Sequence, residues 1–116
     1  LGACLDVANS ICAGEWPDET IDCLADHTIN LHIKDYHFKL DPYGVGFCIE
    51  GAPMGDGLTN IQSLLSKFID KEISVLYEHW LPWPGNFEEA KKNEDKWTAE
   101  GAAYLTSMTS ELIQNQ

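Results

Sequence analysis

Three short segments alternate apolar with polar or small residues at a period of two, and each is followed by a stretch whose apolar residues recur at helical spacing. The first segment covers residues 1–6. "EWPDETIDCLADH" follows, with Pro17 suited to a first helical turn, acids near that start, and Ile21, Leu24 and Ala25 on one face. The second segment covers 29–35 and leads into a long connection, 36–58. There the glycines and prolines of "DPYGVGFCIEGAPMGDG" mark turns, and "GFCI" reads as one arm of a small hairpin. Ile61, Leu64, Leu65, Phe68 and Ile69 define the next helix, with Thr59 or Asn60 as its cap. The third segment covers 73–78. After the loop "HWLPWPGN" a helical stretch runs from Phe87 nearly to the end, in one piece or two, with Trp97, Gly101, Tyr104, Leu105, Met108 and Leu112 as its apolar stripe.

Strand and helix alternating three times imply parallel strands joined by right-handed crossovers. Three parallel strands make a poor stand-alone domain, because parallel sheets are covered on both faces, and open doubly wound sheets have more strands. A segment of an eight-stranded β/α barrel explains the pattern more economically. The expected fold class is therefore α/β: a partial TIM-barrel segment of about three βα units, with residues 1–116 as a single domain. Open sheet edges and an uncovered inner face must be satisfied, so a homo-oligomer is expected.

Splitting each strand by parity locates the chemistry. Leu1, Ala3 and Leu5 oppose Gly2, Cys4 and Asp6. Ile29, Leu31 and Ile33 oppose Asn30, His32 and Lys34, while Ile73, Val75 and Tyr77 oppose Ser74, Leu76 and Glu78. The uniformly apolar sets suit an outer face under helices; the mixed sets suit a barrel lumen. Asp6, His32 and Glu78 then lie on the lumen side near the C-terminal ends of their strands, where barrel enzymes place catalytic groups. An Asp, a His and a Glu offer oxygen, nitrogen and oxygen donors, which suit Mn²⁺, Mg²⁺, Co²⁺ or Zn²⁺ better than a soft-metal site does. Trp80, Trp83 and Phe47 fall in loops near the expected mouth.

The charge narrows the partners. A net charge of −12, from seven lysines, no arginine and nineteen acids, opposes binding to nucleic acid and to anionic membranes. No run of apolar residues is long enough for a membrane span. Cys4, Cys12, Cys23 and Cys48 form no CxxC pair, and Cys4 and Cys23 fall in strand and helix patterns, where thiols act as small hydrophobes. Reduced thiols and a cytoplasmic location are expected.

"CLDVANS" (4–10), "LHIKDY" (31–36), "GAPMGDG" (51–57) and "LYEHW" (76–80) occur in this order. Together they resemble the C-terminal part of the sugar phosphate isomerase/epimerase family, the xylose-isomerase-like barrels that include tagatose and allulose epimerases and inosose dehydratases. The resemblance implies a divalent metal held by Glu, Asp, His and Glu on successive strands. Asp6, His32 and Glu78 match the last three. The first glutamate belongs to a strand preceding Leu1. The resemblance also implies a small-molecule sugar substrate and an enediolate-type proton transfer, with Glu78 as one of two acid/base glutamates. Without the other glutamate the chain alone should not complete a catalytic cycle. Asn9 stands where many epimerases carry a substrate-binding histidine. Lys34, the lysine of "HxKD", either contacts substrate or forms a structural ion pair, and Trp80 can stack on a sugar. The alternatives are a non-catalytic, self-associating partial barrel and a hydrolase like the apurinic-site endonucleases; the charge speaks against the second.

Overall fold

Each helix begins where the local chemistry favours it. In the computed structural model, which describes residues 1–115, Pro17 opens α2 (Pro17–Leu24), with Asp18 and Glu19 in its first turn. Asn60 caps α3 (Ile61–Ser66) by accepting from the Ser63 N–H at 3.1 Å. Asn86 does the same for Glu89 at the start of α4, a single unbroken helix over Phe87–Gln114. Thr59, the other cap candidate for α3, instead donates its hydroxyl to the Lys34 carbonyl.

The strands β1 (Ala3–Asp6), β2 (Thr28–Ile33) and β5 (Ser74–Tyr77) form one parallel sheet in the order β1-β2-β5. The barrel is not closed, and β1 and β5 are both edges. A four-residue helix, α1 (Asn9–Cys12), and a 3₁₀ turn (Ala25–His27) flank α2. Part of the expected connection is a hairpin: β3 (Asp35–Leu40) pairs antiparallel with β4 (Phe47–Ala52). "GFCI" lies in its second arm. The first arm, "DYHFKL", alternates polar with apolar residues but follows β2 without a turn signal, so the sequence does not separate the two strands.

The helix-covered face of the sheet holds the core. Leu5, Leu31 and Ile33 are buried against Ile21, Ile61, Leu64, Leu65 and Phe68, and Tyr104, Leu105, Met108 and Leu112 of α4 pack on this cluster. The expected stripe of α4 is the one that packs. Ile29 departs from its expected place and is 60% exposed. The register explains this: Ala3 pairs with Thr28 and Cys4 with Asn30, so Ile29 is an extra residue, a bulge, on β2. Below the bulge the alternation inverts, and Thr28 takes the buried position and donates its hydroxyl to the Leu24 carbonyl. Val75 lies half exposed because β5 has no strand beyond it. All four cysteines are free, yet all four are exposed, contrary to their expected role as small core residues. Cys4 and Cys23 sit in the expected strand and helix but on faces that nothing covers.

The chain is less compact than a closed domain of its mass. Its accessible surface is 7445 Å², against about 6,300 Å² for a typical monomer of this size. Its radius of gyration is 15.2 Å, against about 13 Å. The difference is what open sheet edges and a largely unshielded α4 produce.

Burial pushes the Tyr36 and Tyr77 phenols above the ordinary range, with Asp35 adding to the effect on both. A folded-state pKa that is raised favours the neutral form, so its contribution to stability is complete below about pH 10 and is lost as pH rises through the raised values. Absorbance titration of tyrosinate should therefore show two phenols that ionise late, together with loss of the fold. Ionisation of all four tyrosines at the ordinary phenol pH in still-folded protein would contradict this.

Candidate metal centre

The strand register brings the site together. Asp6, the last residue of β1, lies opposite His32 of β2. Glu78 follows β5 directly, and its N–H donates to the Ile33 carbonyl at 2.9 Å, which continues the ladder by one step. Asp6, His32 and Glu78 therefore meet at the C-terminal edge of the sheet, on the face opposite the core. One donor atom from each lies within 4.8 Å of the other two. His32 Nδ1 is 3.2 Å from Glu78 Oε2 and 3.9 Å from Asp6 Oδ2. The other Asp6 oxygen is fixed by the N–H groups of Ala8 and Asn9, at 3.2 and 3.1 Å.

Lys34 is part of the cluster. Its ammonium lies 2.9 Å from Asp6 Oδ2 and 2.8 Å from Glu78 Oε1, its side chain is 1% exposed, and it sits 4.5 Å from the centre of the Trp80 ring. Of the two roles open to Lys34 in the sequence, the geometry shows the ion pair. Lys34's hydrogen bond and charge, aided by His32, hold the Glu78 carboxyl below its usual range, against a smaller opposing push from burial. Glu78 is thereby kept ionised and ready to accept a proton or a cation.

These residues fit a divalent cation. The donors are hard or borderline, and the two carboxylates exceed the single ammonium in charge. Glu78 Oε2 and His32 Nδ1 remain outside the lysine's bonds. Asp6, His32 and Glu78 would hold the ion.

The other sequence candidates are placed differently. Asn9 is exposed and touches the site through its backbone N–H. Trp80 covers Lys34. Trp83 and Phe87 pair edge to face at 5.1 Å and are largely exposed. Phe47 is not in a mouth loop: it belongs to β4 and packs edge-on against Phe38 at 4.5 Å.

Asp35 is the residue that the sequence reading did not single out. Buried beside Lys34, its carboxylate accepts from four backbone N–H groups, those of Tyr36, Gly55, Gly57 and Thr59, at 2.9–3.0 Å. It folds the 53–59 loop back onto the strand that carries His32 and Lys34. The available signal was "GDG" downstream of "HIKD", small residues that let main chain approach a carboxylate; a Cβ on Gly57 would collide with Asp35. Gly51 has a related role, since a Cβ there would strike the Trp80 carbonyl. The hairpin thus lies directly against the loop that covers Lys34.

The comparisons with known proteins agree with this architecture. No family model matches the chain. A curated relative, 3-oxo-isoapionate decarboxylase from Pectobacterium atrosepticum, is 40% identical over 107 residues, which cover 90% of this chain and 39% of the relative. The chain thus spans about two fifths of that protein's length. Among solved structures, a xylose isomerase-like TIM barrel protein from Mycobacterium smegmatis, in complex with magnesium, matches with a TM-score of 0.61 at 16% identity, over 83% of this chain and 29% of that one.

Proposed function

We propose that this chain, whose fold is a segment of a xylose isomerase-like TIM barrel left open at both edges, carries the cation-binding half of a carbohydrate-transforming active site. The observation that carries the reading is the convergence of Asp6, His32 and Glu78 donor atoms within 4.8 Å, at the strand ends where barrel enzymes work. A divalent cation there would polarise a substrate carbonyl and stabilise negative charge on vicinal oxygens.

The chain's own groups supply the rest. Glu78, kept ionised by Lys34, can take a proton from the carbon beside a carbonyl or return one to it. Lys34 keeps the two carboxylates from repelling each other, and Trp80 shields that ammonium from water. Loss of a proton beside a carbonyl and loss of carbon dioxide one carbon away both leave the electron pair of an enediolate. Isomerase or epimerase chemistry and the decarboxylase chemistry named for the relative therefore make the same demand on this site. The substrate class is a sugar or 3-oxo sugar acid with adjacent oxygens. A fourth ligand and a second acid/base would come from the remainder of a full-length barrel, so the 116-residue chain is expected to bind metal but not turn over. In a full-length protein, carbon dioxide release from a 3-oxo sugar acid separates decarboxylation from simple hydrogen exchange beside the carbonyl.

Metal analysis tests the centre. The wild-type chain should retain about one equivalent of Mn²⁺ or Mg²⁺, and Asp6→Ala or His32→Ala should weaken binding about 100-fold or more. Stoichiometric metal in both variants would remove the assignment.

A second reading, self-association, draws on the two open sheet edges and the surface excess of about 1,100 Å², which exceeds one partner's share of a standard interface. Light scattering at micromolar concentration should give a mass above 13.0 kDa; a stable folded monomer would end this reading.

A further inference from the structure

A pocket lined by none of Asp6, His32 and Glu78 lies between the start of α2 and the start of α3. It encloses about 340 Å³ and is walled by Trp16, Phe38 and Leu58, with Asp18, Tyr36 and Asn60 as its polar groups. Tyr36 is the informative residue. Its side chain is 98% buried, at 2% exposure, and its hydroxyl makes no hydrogen bond to any described residue. Yet no fully buried side-chain polar atom among the described residues lacks a partner, so this hydroxyl must reach solvent. The open space that Tyr36 lines is this pocket. Asp18 lines the same pocket and so sets a carboxylate there.

We propose that this pocket binds the ring of a neutral carbohydrate or polyol, separately from the metal centre. Trp16, 59% exposed, offers an apolar face on which the C–H face of a pyranose can lie. Phe38 backs it edge-on, with ring centres 6.4 Å apart and planes at 81°. Around that face the Tyr36 hydroxyl can donate or accept, the Asp18 carboxylate accepts, and the Asn60 amide nitrogen donates. The Asn60 oxygen is already taken by the α3 cap. This alternation of donors and acceptors matches sugar hydroxyls.

An ammonium ligand is the competing chemistry, given three aromatic rings and a carboxylate. The burial of Tyr36 argues against it: at 2% exposure its ring offers almost no π-face to a ligand, so a cage of three aromatic faces is not available. The site makes no use of Asp6, His32 or Glu78 and stands or falls independently of the proposed metal chemistry.

Proton–nitrogen NMR of the 116-residue chain, titrated with methyl β-D-glucopyranoside and in parallel with tetramethylammonium chloride, tests it. The glucoside should shift the Trp16 indole and Tyr36 amide signals saturably in the millimolar range, and tetramethylammonium should not. Trp16→Ala should weaken binding about tenfold. Tyr36→Phe, which removes only the hydroxyl and preserves the packing, should weaken it about fivefold. His32→Ala should leave it unchanged. The proposal is overturned if the glucoside gives no saturable shift at Trp16, or if tetramethylammonium binds in its place. It is equally overturned if Tyr36→Phe binds as wild type, or if His32→Ala abolishes the shifts.

Discussion

Asp35→Ala should remove a large share of the stability of this chain. The substitution removes one carboxylate and strands four backbone N–H groups that now point at it. Each unsatisfied donor costs about 1–3 kcal/mol when water cannot reach it. Three of the four are only partly buried and can recover some hydration, so the expected loss is about 3–6 kcal/mol, against a total of about 5–15 kcal/mol for an ordinary domain. The damage should be directional. Amide exchange of Gly55, Gly57 and Thr59 should accelerate first, because the 53–59 loop loses its anchor while the β1-β2-β5 ladder stays paired. Asp35→Asn should fall between the two, since its amide keeps one acceptor and turns donors towards N–H groups. An unchanged urea midpoint for Asp35→Ala would show that the loop is held by something else.

The second large effect is expected at Lys34. Lys34→Met keeps the buried stem but removes the ammonium that bridges Asp6 and Glu78. Removing one partner of a buried pair costs about 3–5 kcal/mol, and the low end applies here because the Glu78 side chain is 38% exposed and can take up water. With no cation present, the variant should unfold earlier than wild type. Adding Mn²⁺ should then raise its melting temperature more than that of the wild type, because the ion replaces the lost positive charge. A Lys34→Met protein as stable as wild type, with the same response to Mn²⁺, would show that the lysine does not balance the carboxylates.

The site was legible wherever side-chain parity could be read. Asp6, His32 and Glu78 share a face because β1, β5 and the part of β2 above its bulge alternate cleanly. The helix stripes were legible for the same reason: Ile61, Leu64 and Leu65, and the run from Gly101 to Leu112, sit at spacings that only one face of a helix can bury, although α3 stops at Ser66 and the buried Phe68 of the expected stripe lies in the turn beyond it. What escaped depends on contacts across the chain. Nothing near Lys34 says that its ammonium will fall between two carboxylates carried on other strands. Asp35 reads as one more polar residue at a strand end until the glycines 20 and 22 positions later fold back onto it. The exposure of the cysteines and of Val75 reflects what lies next to the sheet, which no local pattern encodes.

The bulge at Ile29 divides β2 into two halves that answer to different requirements. Above it, residues 30–33 must keep the phase that aims His32 at Asp6; below it, Thr28 keeps the opposite phase and faces the helices. The extra residue works as a phase shifter, so a change in how the strand leaves the 3₁₀ turn need not rotate the histidine away from its partners. Straightening the bulge with that residue kept would force a choice between a correctly packed entry and a correctly aimed ligand, because Thr28 and Leu31, three positions apart, cannot share one face of an unbroken strand.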